Sequence, residues 1–224
     1  MKLEILAIAP HPDDAEIGCG GSLIRAAQQG RAVGILELTR GEMGTLGTPE
    51  IRDSEAQAAA RVMGLAYRGN VALPDGTVQD TLEQRLRVAQ AIRHLRPHTL
   101  LLPHESDRHP DHVGAAQLCT SAVHLAGLQK AALEGQAHKV QRVLYYQGNA
   151  PIQANVLVDV SSVLDLWEQA VMAHRSQFTG QAVSETVTPE ILERRKARMM
   201  YWGTFVGVRY AEAFATRVPV LLEI

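Results

Sequence analysis

Over its first 130 or so residues the chain alternates between short, nearly unbroken apolar runs and longer segments with a helical stripe, and this rhythm leaves few folds open. The runs are Leu3–Ala9, Ala32–Thr39, Tyr67–Leu73 and Thr99–Leu102. Each has the length of a strand, and a strand that is apolar throughout has to be covered on both faces. Ile17–Gln29, Ile51–Met63, Thr81–Leu95 and Asp111–Leu128 follow them in turn as predicted helices. In Thr81–Leu95 the stripe is Leu82, Leu86, Val88, Ala89 and Ile92, one face of a helix. Gly30 and Gly64 stand where the first two helices should stop, because glycine ends a helix at little conformational cost. The order β-α-β-α-β-α-β-α predicts an α/β fold, a parallel-type sheet with helices on both faces.

The second half is less regular. Val140–Tyr146 and Asn155–Val160 read as strands, Ser162–His174 and Pro189–Trp202 as helices, and Val218–Ile224 as a strand closing the sheet edge. A length of 224 residues suits one domain over residues 1–224, since two small domains would each bury too little surface. Aromatic residues make up only 4%, so the core has to be aliphatic. The net charge is -2 with Lys and Arg scattered, which argues against a nucleic-acid partner. No apolar stretch approaches the roughly 20 residues of a membrane helix, and Ile5–Ala9 is too short for a signal peptide. The expectation is a cytoplasmic protein with no membrane partner. Two cysteines, Cys19 and Cys119, do not make a disulfide framework.

Chemistry concentrates in two clusters, each just after an apolar run. The first is Ala9-Pro10-His11-Pro12-Asp13-Asp14-Ala15-Glu16, the second Asp107-Arg108-His109-Pro110-Asp111-His112. In an open parallel sheet the carboxyl ends of the strands form the ligand crevice. If the first and fourth strands are neighbours, His11 and His112 reach one point. Asp14, three residues after His11, joins them through a turn. Two imidazoles and a carboxylate are a catalytic zinc set, with a fourth position left for water. Asp13 is then free to take a proton from that water. His109 is placed to stabilise an oxyanion or protonate a leaving group if its ring is charged. Asp111 is placed to orient His109 or a ligand histidine. Fe2+ or another divalent ion suits the same donors.

Each feature also has a plainer reading. Asp13 or Asp14 after a strand is a usual helix cap. His109 and His112 alone would pass for surface histidines, as His94, His98, His104, His124, His138 and His174 are read here. Gly18-Cys19-Gly20-Gly21 resembles a phosphate turn, but Asp13, Asp14 and Glu16 would repel a phosphate, and Cys19 reads as small and buried. Arg194, Arg195, Lys196 and Arg198 read as a solvated face, with an anionic substrate or a neighbouring subunit as other uses. Two loops, Arg40–Glu50 and Gln177–Thr188, are placed to cover a pocket or are plain surface. A metal-dependent phosphoesterase and a non-catalytic nucleotide or sugar module are the rival functions. The first would recruit more carboxylates around two ions, and the second leaves His109 and His112 unexplained.

At these residues the sequence resembles the PIG-L/LmbE family of zinc-dependent N-acetylglucosamine deacetylases. The resemblance runs from the two clusters through Gly18–Gly21, Arg52–Ala60 and His174-Arg175-Ser176-Gln177 to Tyr201-Trp202-Gly203 and Tyr210-Ala211-Glu212-Ala213-Phe214. Its later segments look most like the bacillithiol-biosynthesis branch, which deacetylates N-acetylglucosaminyl-malate. The resemblance implies a Rossmann-like fold, zinc on His11, Asp14 and His112, and Asp13 as general base. It implies His109 as the electrophilic or acid group supported by Asp111, and Arg52 near the substrate, with Arg108 a further substrate contact. It also implies an amino-sugar conjugate as the small-molecule substrate and a homo-oligomer, hexamers being common in that branch. Where the mycothiol branch has a tyrosine, two residues before the histidine matching His109, this chain has Asp107.

Overall fold

A computed structural model describes residues 1–178 and 190–219. Seven strands form one sheet in the order β3-β2-β1-β4-β5-β7-β6. They are β1 (Ile5–Ala9), β2 (Val33–Thr39), β3 (Tyr67–Leu73), β4 (Thr99–Pro103), β5 (Arg142–Tyr146), β6 (Val156–Asp159) and β7 (Ala211–Ala215). β1 to β5 pair in parallel, and β7 runs antiparallel between β5 and β6. Six helices accompany them: α1 (Asp14–Gln28), α2 (Pro49–Met63), α3 (Leu82–Leu95), α4 (Pro110–Gly127), α5 (Leu164–Met172) and α6 (Ile191–Thr204).

The predicted runs fold as strands because both sides of the sheet are covered. Along β1, Ala7 and Ala9 enter one core with Leu23, Ile24 and Trp167, while Leu6 and Ile8 enter the other with Val88, Ile92 and Leu118. Helices α1, α2 and α5 pack together, and α3 packs on α4. Full burial of such aliphatic side chains is worth roughly 1.5–3 kcal/mol each. Trp167 locks α5 to α1 with a 2.8 Å hydrogen bond from Nε1 to the Glu16 carbonyl.

Two predicted elements differ. Ala211–Ala215, not predicted as a strand, forms β7 inside the sheet between β5 and β6, and the edge beyond it is β6; of the predicted edge strand Val218–Ile224, residues 218 and 219 are not in a strand and 220–224 lie outside the described residues. The first helix begins at Asp14 instead of Ile17, so Gly18, Gly20 and Gly21 lie inside it. Substituents there would press on Tyr146, Trp167 and Val160; the glycines serve close packing, and no phosphate turn exists. Cys19, non-helical within α1, is buried and free, as is Cys119. Among the described residues no helix is long and apolar enough to cross a membrane.

The order places β1 between β2 and β4, with α1 leaving toward β2 and α4 leaving toward β5. The strand order reverses between β1 and β4, so their carboxyl ends open a crevice. α4 sits so close to the loop before α3 that a methyl group on Gly114 would overlap the Val78 carbonyl oxygen. Glycine to alanine inside a helix ordinarily gains about 1 kcal/mol. Here the overlap reverses the sign, and Gly114→Ala should lose about 1–3 kcal/mol. Thermal denaturation should show a melting temperature lowered by roughly 2–12 °C; a raised one would contradict this packing.

Candidate metal centre

Backbone geometry at the end of β1 decides where the first cluster points. Asp13 has φ 101°, a left-handed conformation that costs a non-glycine residue on the order of 1–3 kcal/mol. Its side chain makes no capping hydrogen bond and lines a cavity instead. Asp14 opens α1. Its Oδ2 accepts the His11 N–H at 3.0 Å and lies 3.0 Å from His11 Nδ1 and 3.2 Å from His112 Nε2.

The second cluster is set by the start of α4. His109 stands at the N-cap, where its Nδ1 accepts the Asp111 N–H at 3.2 Å, and Pro110 opens the helix. This puts His112 inside the first turn, facing the end of β1. The ring centroids of His11, His109 and His112 lie 4.9, 5.0 and 5.6 Å apart.

Each of the two ligand-type imidazoles is also held at its other nitrogen. His11 Nε2 lies 3.1 Å from Asp75 Oδ1 and 3.2 Å from Asp111 Oδ2. His112 Nδ1 lies 3.2 Å from Asp107 Oδ2. A buried carboxylate behind each ring fixes its tautomer and raises its basicity, the usual support for a metal-bound histidine. Burial works against a charged His112, but Asp14 and Asp107 outweigh it and push its pKa up to about 9. Burial likewise opposes a charged His11, and Asp111, Asp14 and Asp75 raise it well above the ordinary value. Burial would raise Asp14, yet His112 and His11 hold it well below the usual carboxylate range.

These are the marks of donors that share protons where a cation belongs. One atom each from His11, Asp14 and His112 lies within 4.8 Å of the others, compatible with bonds of about 2.0–2.2 Å to one tetrahedral ion. His11, His109 and Asp111 meet the same distance test. That set fits less well, because Asp111 already accepts the Gly76 and Val78 N–H groups at 2.8 and 3.2 Å and His109 Nδ1 holds the Asp111 N–H. The residues therefore fit a divalent ion on His11, Asp14 and His112.

The cavity beside these donors measures about 400 Å³. Met43, Gly44, Thr45 and Leu46 form one wall, so the first predicted covering loop does border the pocket. Of the second, only Gln177 and Phe178 fall among the described residues; Gln177 lines the cavity and donates to the Leu46 carbonyl at 2.9 Å. Arg52 also lines the cavity, where it donates to the Gly41 and Pro12 carbonyls at 3.1 and 2.7 Å and lies 3.7 Å from Asp13. Burial raises the Asp13 carboxyl to about 6, with Arg52 pulling the other way.

Several sequence readings need correction. Arg108 is exposed and stands outside the cavity wall. Besides Arg52, the arginine that lines the cavity is Arg195 of α6, buried within what reads as a solvated charge run. Of the two roles read for Asp111, the structure shows the second: its carboxylate faces the ligand-type His11 rather than His109. Burial, with His11 and His112 nearby, lowers the pKa of His109 and so favours the neutral ring, whose Nδ1 accepts the Asp111 N–H. With Nδ1 accepting, the proton sits on Nε2. His174 is not incidental: it is fully buried with Nε2 3.1 Å from Glu16 Oε1. Glu16 also pairs with Arg68, which reaches Glu37 at 2.6 Å. This buried network backs the first turn of α1.

Asp75 and Asn149 lie outside both sequence clusters, and Asp107, named in the second, has no role assigned from sequence. Asp107 Oδ2 accepts the Asn149 N–H at 2.7 Å, and Oδ1 accepts the His109 N–H at 2.9 Å. Any side chain at Gly148 would collide with the Asp107 carboxylate. Arg195 and Arg198 donate to the Gly148 carbonyl at 2.7 and 2.9 Å. Asp107 thus supplies the carboxylate that holds His112 Nδ1.

Residues 6–123 match the PIG-L family, described as GlcNAc-PI de-N-acetylase. The chain belongs to the PIG-L family. A PIG-L relative, the diacetylchitobiose deacetylase of Thermococcus kodakarensis, is 32% identical over 99% of this chain and 85% of its own length. Among solved structures, the conserved protein TT1542 from Thermus thermophilus is 52% identical with a TM-score of 0.93, covering 99% of this chain and 97% of that one. The N,N'-diacetylchitobiose deacetylase from Pyrococcus horikoshii is 25% identical with a TM-score of 0.82, covering 96% and 82%.

If Asp107 orients His112 for a metal, Asp107→Asn should weaken zinc binding about 10- to 100-fold. Competition against a chromogenic chelator measures this, and unchanged affinity would remove Asp107 from the site.

Proposed function

We propose that this PIG-L chain is a metal-dependent deacetylase of N-acetylglucosamine conjugates, releasing acetate and a free amine. One observation carries the reading: His11 Nδ1, Asp14 Oδ2 and His112 Nε2 converge beside a cavity that also holds Asp13 and His109. The names of the diacetylchitobiose deacetylases add support for N-acetyl sugar substrates.

When bound, a divalent ion polarises the amide carbonyl and brings the pKa of water from about 15.7 to about 7. Zinc is the ion we assign, with Fe2+ the alternative occupant. Asp13 takes the proton of the attacking water; a carboxyl raised to about 6 by burial is matched to proton transfer near neutral pH. His109, neutral with its proton on Nε2, donates to the amide oxygen as negative charge develops there. The proton held by Asp13 then goes to the leaving nitrogen, which departs as an amine while the water oxygen stays in acetate. Arg52 holds Pro12 and the Gly41 turn in place around Asp13.

We assign N-acetylglucosaminyl-malate as the substrate, on the resemblance to the bacillithiol branch. Arg195 supports an anionic conjugate, because it brings a buried positive charge to the cavity wall. We also propose a homo-oligomer; Met200, Tyr201 and Phe205 leave an exposed apolar face on and just after α6.

Acetate release from N-acetylglucosaminyl-malate, diacetylchitobiose and N-acetylglucosamine tests the reading. The malate conjugate should turn over fastest, with activity lost to a chelator and restored by zinc. Preference for diacetylchitobiose would overturn the malate assignment, and release from none would overturn the deacetylase. Asp13→Ala should cut kcat at least about 100-fold with zinc still bound one per chain. Near-normal turnover in that variant would remove Asp13 as the base.

A further inference from the structure

Asp75 is a buried carboxylate with no part in the proposed catalysis, yet it touches two parts of the site at once. Its side chain is only 7% exposed, with Oδ1 3.1 Å from His11 Nε2. Its Oδ2 accepts the Met43 N–H at 2.8 Å. Its own N–H donates to Glu42 Oε1 at 3.0 Å, and Oδ1 also accepts the Gly76 N–H at 2.9 Å. Met43 and its neighbours through Leu46 are a wall of the cavity. One carboxylate therefore ties a proposed metal ligand to the loop that borders the substrate.

We propose that Asp75 is a positioning residue that couples occupancy of the metal site to the order of the loop at residues 41–46. The proposal rests on the reading of His11 as a metal ligand. A cation held by His11 Nδ1 together with Asp14 and His112 would fix the ring in one place, with Nε2 directed at Asp75 Oδ1. Asp75 in turn holds Met43 through its second oxygen. Asp111 shares the His11 N–H at 3.2 Å but bonds to Gly76 and Val78 and not to the loop, so it does not carry the same link. Coupling of this kind is reciprocal: an ordered loop raises metal affinity by the factor with which metal favours the ordered loop.

Hydrogen exchange, followed by mass spectrometry on the peptide carrying residues 41–46, tests this with zinc as the only added ligand. Zinc content is measured on the same samples. In the unaltered protein, zinc should slow exchange in that peptide at least about threefold. In Asp75→Asn, saturated with zinc, the slowing should vanish. In Asp107→Asn, also saturated, it should persist, because that residue serves the other imidazole. Glu42→Ala, which loosens Asp75 from outside the metal site, should reduce the slowing and covers the case in which Asp75→Asn does not fold. Zinc bound without any slowing, or slowing that survives both Asp75→Asn and Glu42→Ala, would overturn the proposal and leave the metal site standing. No bound zinc in the unaltered protein would overturn the metal reading and this inference together.

Discussion

The parallel pairing of β1 with β4 is the constraint on which the rest depends. Ile5, Leu6 and Ala7 pair with Thr99, Leu100 and Leu101, so the chain leaves both strands at the same edge of the sheet. His11 and Asp14 follow one strand, and His109 and His112 follow the other. Nothing local brings these residues together. Their meeting is a product of strand order, and strand order is a product of two aliphatic cores that cover β1 on both faces.

Charge is the second constraint. Asp13, Asp14, Asp75, Asp107 and Asp111 crowd around two imidazoles, and isolated carboxylates in such a place are costly. The chain answers with protons shared between His11, His112 and their carboxylates, with Arg52 beside Asp13, and with Arg195 on the cavity wall. Behind them Arg68 and His174 neutralise Glu16 in a layer that does not face the cavity. A divalent ion would complete this balance by taking the place of the shared protons. The carboxylates are thus divided by position: one faces the donors, one faces the cavity, and three hold the rings from outside.

Much of this was legible in the sequence, for physical reasons that differ from part to part. β1, β2 and β4 announce themselves because burial on both faces writes unbroken apolar runs. β7 does not, since Glu212 interrupts Ala211–Ala215; the structure buries that glutamate under the Gly21 and Ser22 N–H groups, both at 2.8 Å. The ligand-type residues stood out as clusters. Their supports did not, because support is a matter of distance in space. Asp75 sits in a Pro-Asp-Gly turn that any loop might carry. His174 meets Glu16 across 158 residues of sequence. Arg195 belongs to a run of four charges, and only the helical period turns it inward while Arg194 stays exposed. Arg108, beside His109 in sequence, stands in the loop before α4 and is exposed.

Everything in the proposed chemistry turns on where a cation sits. Diffraction from zinc-loaded crystals, recorded at the zinc absorption edge, locates it without reference to activity. One anomalous peak per chain is expected, about 2.0–2.2 Å from His11 Nδ1, an Asp14 oxygen and His112 Nε2, with Asp75, Asp111 and Asp107 on the opposite ring nitrogens. A peak on the Nε2 side of His11, among Asp75, Asp111 and His109, or no peak from crystals soaked at saturating zinc, would contradict a metal site on His11, Asp14 and His112.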